Sequence, residues 1–356
     1  MPTSYFPAAK SFDDQRQHQD LLRQSDYEGF SKKMINTIDV QEVDVNLYMS
    51  KELWQPVGSR GVFGGCIVAQ ALRAAWYTVP DNFHIHSLHS YFILAGDVDI
   101  PVIYNVQRLR EGRSFSTRFV TATQRGKPIF VCSCSFSTIS NAVNAQHFTP
   151  MPNDVPDPES LLSEDERTRR FLTQVKDIPP VVKDMMEKRL AETQAVLYKD
   201  TIYEDDPVDM IRGDVEPRSN SQRWFKTREL VESDDPKVHA GIIAYASDAG
   251  ILATAVYANG LGISNIGMMA SLDHSIWFHH PCRADEWLLH DMHSPCSSEG
   301  RGTSFGRIYT RDGILVATTA QEGIIRLSKK EQRRRLQQSK SDLDISTGVS
   351  ENASKL

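Results

Sequence analysis

The chain repeats itself at long range. His89-Ser90-Tyr91-Phe92, Glu111-Gly112-Arg113 and Gln124-Arg125-Gly126-Lys127-Pro128-Ile129-Phe130 occur in that order in its first half. His274-Ser275-Ile276-Trp277-Phe278, Glu299-Gly300-Arg301 and Arg311-Asp312-Gly313-Ile314-Leu315 follow in its second. His89 to His274, Glu111 to Glu299 and Gly126 to Gly313 are 185, 188 and 187 residues apart. Self-similarity at one long period means a supersecondary unit used twice. A glycine- and alanine-rich apolar stretch of helical spacing precedes each copy.

The periodicity within each copy predicts the unit. Ile38 to Trp54 alternates as a first strand, and Gly64-Gly65 opens a helix over Cys66–Trp76 that is apolar almost all round. Such a helix must be buried on most sides. Strand-like runs follow near 86–94, 101–110, 114–124 and 129–138, divided by Glu111-Gly112 and Arg125-Gly126. In the second copy a strand covers Ser221–Leu230, a helix Ala240–Val256, and strands lie near 271–280, 285–293, 300–310 and 314–326. Asp312-Gly313 reads as a type I′ hairpin turn. A helix followed by consecutive antiparallel strands is an α+β pattern, met by a long buried helix wrapped in a curled antiparallel sheet, in tandem. The expected divisions are a polar extension 1–33 with a helix near Phe12–Arg23, a first unit 34–140, a connector 141–215, a second unit 216–328 and a disordered tail 329–356. Prolines 150, 152, 156, 158, 179 and 180 and the acidic run Glu204-Asp205-Asp206-Pro207 break up the connector, apart from a helix around Pro180–Leu197.

A length of 356 residues suits two domains. A net charge of −6 argues against a nucleic-acid partner, which would meet a basic face. No apolar run is expected to span a bilayer, because Ala249 to Ile263 is interrupted by Thr254 and Asn259-Gly260. The polar start lacks the apolar core of a secretory signal. Five cysteines, an odd number mostly on apolar patterns, read as reduced core thiols. Cys132 and Cys134 share a strand face without a second pair at metal-ligand spacing, so neither a metal nor a cofactor is expected.

Asp248 is the residue most in need of an explanation. It lies in Ala244-Tyr245-Ala246-Ser247-Asp248-Ala249-Gly250, within the helix expected to be most buried. A carboxylate there costs several kcal/mol unless hydrogen-bonded, and its pKa rises. Alternatively, Ser247-Asp248 caps a shorter helix starting at Ala249. The first copy has the non-ionisable Gln70 at a comparable depth, so only the second copy offers a base. Ser271 and Gln321 fall where neighbouring strands would face this helix, although each alone reads as a surface hydroxyl or a rim amide. Asp273 and His274, adjacent on a strand, point to opposite faces. The other histidines (His84, His86, His89, His279, His280, His290, His293) read with His274 as strand-edge and core residues. Gly302-Thr303-Ser304-Phe305-Gly306 matches a nucleophile elbow, which needs a helix after it, yet the chain runs on as a strand. Lys329 to Arg335 is basic enough for nuclear targeting but reads as a solvated helix end. The terminal Ser354-Lys355-Leu356 reads as a peroxisomal import signal.

Taken together, several blocks resemble the acyl-CoA thioesterase II family, including its peroxisomal members. They are Gly61–Gly65 with Ala69–Leu72, His86–Phe92 with Gly96-Asp97, Arg110–Phe115, Gly126–Phe130, Tyr245–Asp248, Ser271–His279, Glu286–Leu289, and Asp312-Gly313 through Gln321–Gly323. The resemblance covers roughly 35–140 and 215–327. It implies a double hotdog that hydrolyses fatty acyl-CoA to fatty acid and free coenzyme A. Its water-activating trio, an Asp on the second helix, a Thr or Ser on the next strand and a late Gln, falls on Asp248, Ser271 and Gln321; serine at 271 keeps the hydroxyl. It further implies a fatty acyl-CoA substrate, a homo-oligomer, and a peroxisomal matrix protein delivered by an import receptor that reads Ser354-Lys355-Leu356. A hotdog hydratase using Asp273 and His274, or a non-catalytic acyl-CoA binder, are the alternatives. Preference for acyl length or branching depends on tunnel shape, which the sequence does not carry.

Overall fold

A computed structural model describes residues 29–139, 143, 145–192, 194–202 and 215–338. The expected helix at Phe12–Arg23, the acidic run at 204–207 and the terminal tripeptide lie outside them. Among the described residues the first half contributes strands β1 Val40–Asp44, β2 Leu47–Ser50, β3 Phe83–Phe92, β4 Ile103–Glu111, β5 Phe115–Gln124 and β6 Lys127–Thr138. The second contributes β7 Val196–Asp200, β8 Asn220–Thr227, β9 Ile266–Ser271, β10 Asp273–Phe278, β11 Leu288–Ser298, β12 Arg301–Thr310 and β13 Leu315–Leu327. They form one sheet in the order β1-β2-β4-β5-β6-β3-β10-β13-β12-β11-β8-β7, with β9 also on β13. The halves meet at β3 and β10, antiparallel with His89 opposite Ser275. The Ser90 hydroxyl strengthens that seam by donating to the His274 carbonyl at 2.7 Å.

The helices are α1 Phe30–Ile38, α2 Gly64–Trp76, α3 Glu164–Gln174, α4 Pro180–Ala191, α5 Pro236–Ser247, α6 Ile251–Ala258 and α7 at 329–338. Every residue of α2 from Gly65 to Trp76 is buried, as its apolar circumference requires. It runs antiparallel beside α5. A Cβ on Gly65 would stand 2.2 Å from the Tyr245 carbonyl oxygen, and one on Gly241 3.5 Å from the Arg73 side chain. At Gly65 the absent Cβ is what lets the helices come this close.

Several sequence expectations change in detail. The extension gives way to structure before residue 34, because α1 starts at Phe30 and buries Phe30, Met34 and Ile38. The single strand Ile38–Trp54 is instead the end of α1 followed by the β1–β2 hairpin. The helix Ala240–Val256 is broken between Ser247 and Ile251, where Gly250 takes φ +84°. Asp248 is therefore no N-cap; Asp235 caps α5, its side chain accepting from the Lys237 N–H. Asp312-Gly313 is not a type I′ turn, which needs positive φ at both central residues; of the two only Gly313 has it. Arg125-Gly126 and Glu299-Gly300, with φ of 50° and 71°, and 50° and 73°, meet that condition. Together, Pro236–Ala258 are long and apolar enough to cross a membrane, contrary to the sequence expectation, but 67% of that window is buried in the protein.

The described part of the connector is packed rather than loose. It holds α3, α4 and β7, and α3 opens with a capping box between Ser163 and Glu166. Met151, Val155 and Leu161 cover Trp224, Leu289 and Tyr309 on the second half's sheet. The Trp224 indole N–H donates to the Pro156 carbonyl at 2.9 Å, which fixes the strap in place.

Candidate active site

The break after α5 sets the position of Asp248. Its own backbone is still helical, and the left-handed Gly250 then turns the chain into α6. The carboxylate thereby meets the N-terminus of α2, where the Gly65 N–H donates to Oδ2 at 2.9 Å. A Cβ on the neighbouring Gly64 would lie 2.8 Å from Oδ2, so the Gly64-Gly65 pair is what admits the carboxylate. Unpaired first-turn N–H groups favour an anion here. Burial nonetheless holds the Asp248 carboxyl above the usual aspartate range, against the opposing effects of His274, the Gln321 amide and the Gly65 N–H. Its Oδ1 is buried without a protein partner.

Strands β9 and β10 are one strand interrupted by a bulge. Ser271 stands opposite Gly323, and Ser275 opposite Ala320, so Leu272 and Asp273 together face Glu322. The Glu322 N–H donates to Asp273 Oδ1 at 2.8 Å. An extra residue changes the alternation of faces. Ser271 and His274, three apart, consequently both point inward. Extending the Ser275–Ala320 register by one residue sets Gln321 across from His274, and Gln321 donates from Nε2 to Ser271 Oγ at 2.6 Å. Ser304 on β12 is the direct cross-strand neighbour of Gln321.

The structure thus brings Asp248, Ser271 and Gln321 together, and adds His274 and Ser304. His274 and Ser304 are both 0% exposed, and Gln321 is 1% exposed. His274 was read from sequence as a core or strand-edge histidine; it is buried, but against Ser247, with Nε2 2.9 Å from Oγ. The missed signal was the bulge, which a strict two-residue alternation cannot show. Asp273 and His274 do point to opposite faces. Ser304 continues within β12 with no helix after it, so the elbow reading lacks its geometry. Four buried atoms here lack a protein partner: Asp248 Oδ1, Gln321 Oε1, His274 Nδ1 and Ser304 Oγ. Buried polar atoms are nearly always satisfied, so such a concentration marks a place built for polar chemistry. An apolar wall stands beside it, where the Phe63 ring packs edge-on against Tyr245 at 4.9 Å and against Trp54 at 5.4 Å.

The equivalent place in the first half is filled. The register that aligns Ser304 with Gln321 aligns Arg118 with Cys134, and Cys134 with Leu88. Leu88, Cys134 and Arg118 thus form one cross-strand row of the first half, all three buried. Arg118 is itself fully buried and spends its guanidinium on the Thr78 hydroxyl and carbonyl and the Arg110 carbonyl. Gln70 is not the structural counterpart of Asp248, since it sits mid-helix rather than past a helix end. Its amide donates to the carbonyls of Thr37 and Glu52 at 2.8 and 2.7 Å, and its oxygen accepts from the Tyr104 hydroxyl at 2.7 Å. A cleft at the opposite ends of α2 and α5, lined by Trp76, His84, Phe278 and Cys282 among others, holds none of the clustered groups.

Comparison with known proteins places this geometry. Residues 51–137 match the family model described as acyl-CoA thioesterase N-terminal domain, and residues 175–325 the one described as acyl-CoA thioesterase C-terminal domain. The chain belongs to the acyl-CoA thioesterase II family. Acyl-coenzyme A thioesterase 8 of Mus musculus is 36% identical over 307 residues, covering 82% of this chain and 88% of that protein. Peroxisomal acyl-coenzyme A thioester hydrolase 1 of Saccharomyces cerevisiae is 28% identical, covering 76% of this chain and 87% of its own length. The crystal structure of an acyl-CoA thioesterase II from Mycobacterium marinum superposes with a TM-score of 0.62 at 31% identity, covering 83% of this chain and 99% of that one. The family confirms the double hotdog as the fold. Its C-terminal model begins at residue 175, so the family's match extends into the connector.

Proposed function

We propose that this chain hydrolyses fatty acyl-CoA to fatty acid and coenzyme A through a water activated by Asp248. The observation that carries this reading is the free Oδ1 of a buried carboxylate next to the Gln321–Ser271 hydrogen bond. A thioester has a reactive carbonyl and a good leaving thiolate, so a held water suffices without a covalent nucleophile. Asp248 takes the proton from that water as it attacks, while Ser271 and Gln321 fix its direction. The C–S bond breaks as the acid forms, and the thiolate leaves with coenzyme A. A hydratase would need Asp273 and His274 to work as a pair, and as successive residues of β10 they point to opposite faces. A passive acyl-CoA binder gives no reason to bury an ionisable group at a helix junction.

Release of free thiol from a saturated acyl-CoA tests the reading. Gln321→Ala should lose about 100-fold in kcat while melting as the parent does. Gln70→Ala should behave in the opposite way, because it strands two carbonyls and the Tyr104 hydroxyl. It should cost about 1–3 kcal/mol of stability and retain substantial turnover. Full turnover by Gln321→Ala, or loss by a folded Gln70→Ala, would remove the assignment to the second half.

The same reading places the protein in the peroxisomal matrix as a homo-oligomer. Support for the assembly comes from large apolar residues exposed on the strands nearest the seam, Tyr91 at 63% and Trp277 at 38%. Support for the location comes from Ser354-Lys355-Leu356, read by an import receptor as an address. Removing these three residues should shift an N-terminally tagged protein from puncta to the cytosol and leave its kinetics unchanged. Persistent puncta, or a collapse of kcat, would show that the tail does something else.

A further inference from the structure

The basic run after the last strand is a fixed part of the molecule. Helix α7 carries Lys329, Lys330, Arg333, Arg334 and Arg335 against the single carboxylate of Glu331, in a chain whose net charge is −6. Glu331 is 2% exposed. It accepts from Arg334 at 2.7 Å, from Arg335 at 2.8 Å and from the Asn265 amide at 3.1 Å. The Ser328 N–H donates to the Asn265 carbonyl at 2.6 Å, so α7 is pinned where β9 begins. Lys329, Lys330 and Arg333 stay exposed. Strand β9 leads from this helix to the site, with Ile266 beside Leu327 and Ser271 beside Gly323. Ile266–Ser271 spans roughly 17 Å. Ser271, Met269 and Gly267 alternate onto one face of it, and Met269 is 46% exposed there. Among the described strands β9 pairs with β13 alone, so its other edge offers N–H and C=O groups.

We propose that α7 and β9 form the coenzyme subsite: Lys329, Lys330 and Arg333 hold the phosphates of acyl-CoA, and the pantetheine arm runs along β9 to bring the thioester to Ser271 and Asp248. Coenzyme A carries its phosphates at the far end of an arm of comparable extended length, so the separation of helix and site suits it. The two amides of the arm find partners on the open edge of β9, and Met269 covers its methylene groups. Lysine and arginine are the side chains suited to phosphate. The anchored Glu331 keeps the helix in place and engages Arg334 and Arg335, which leaves the other three cations to the ligand. Helix α7 lies past residue 325, where the match to the family model ends. This inference rests on the acyl-CoA hydrolase reading made above.

Two substrates test it in the full-length protein: an acyl-CoA, and the acyl-pantetheine with the same acyl group, which keeps the thioester and the arm but has no nucleotide. Combining Lys329→Gln, Lys330→Gln and Arg333→Gln should raise KM for acyl-CoA about 10-fold at low salt with kcat close to the parent's. The parent's preference for acyl-CoA over acyl-pantetheine should shrink by the same factor. Added salt should raise the parent's KM for acyl-CoA towards that of the variant. The nucleotide half of the coenzyme, prepared without the arm, should compete with acyl-CoA in the parent and compete less well in the variant. An unchanged preference, or equal inhibition of both proteins, overturns the proposal. A KM raised equally for both substrates overturns it too, since that marks a disturbed site rather than lost phosphate contacts. If the parent hydrolyses neither substrate, the hydrolase reading itself fails and takes this inference with it.

Discussion

Asp248→Asn should melt at a higher temperature than the parent protein at neutral pH and hydrolyse acyl-CoA about 10²–10⁴-fold more slowly. The asparagine keeps an acceptor for the Gly65 N–H, removes the charge and turns the second oxygen into an amide donor. The sign follows from the raised pKa of the buried carboxyl. The folded state holds that proton more tightly than the unfolded chain does, so ionising Asp248 opposes folding. The penalty is absent below the ordinary aspartate pKa, grows between that value and the raised one, and is constant above it. The difference in Tm between the two proteins should therefore be largest at neutral pH and vanish in acid. Wild-type kcat/KM should fall as pH drops through the raised value, giving an acid limb above the ordinary carboxylate range. Melting curves and rate profiles from mild acid to neutrality check both. An Asn variant that melts lower at neutral pH would mean the carboxylate is stabilising and the burial argument is wrong.

Gly65→Ala should damage stability and turnover together. The new methyl would lie 2.2 Å from the Tyr245 carbonyl oxygen and 2.6 Å from the Phe63 ring. Neither a backbone oxygen nor a ring packed against Tyr245 yields cheaply, and overpacking of this kind costs about 1–3 kcal/mol or more. In a protein of this size that is a drop of roughly 2–10 °C in Tm. Relief requires α2 to move away from α5, which also carries the Gly65 N–H away from Asp248 Oδ2. Turnover should then fall further than the melting temperature alone explains. Native melting and full kcat would show that the two helices are not in contact at this point.

The parts of the molecule that were legible in the sequence are those governed by one regular period. The all-round apolar pattern of Cys66–Trp76 gave a buried helix, and the repeated blocks gave two like sheets. Asp248 stood out because a carboxylate in an apolar helix needs a reason. What escaped notice is irregular. The bulge at Leu272-Asp273 shifts the alternation by one, so counting by twos sends Ser271 and His274 to opposite faces when both point inward. Gly250 looked like one more small residue in an Ala-Gly helix, and its left-handed turn shows only in the backbone. The connector's proline-rich start gave no hint that Met151, Val155 and Leu161 would cover Trp224 and Tyr309, because that is a contact between distant segments. Arg118 was overlooked since a buried guanidinium is recognisable only once Thr78 and Arg110 are seen to satisfy it.

The β3–β10 seam also determines what can be cut from this protein. In the intact chain each of these strands has neighbours on both sides, β6 and β10 for one, β3 and β13 for the other. Severing the halves would leave each with a long strand whose amide and carbonyl groups on one side are unmatched, and such an edge templates pairing with other chains. Because each strand already fits a near-copy of itself, the simplest remedy for a liberated half is to bind its own duplicate. The join therefore has the geometry of a two-subunit interface carried within one chain.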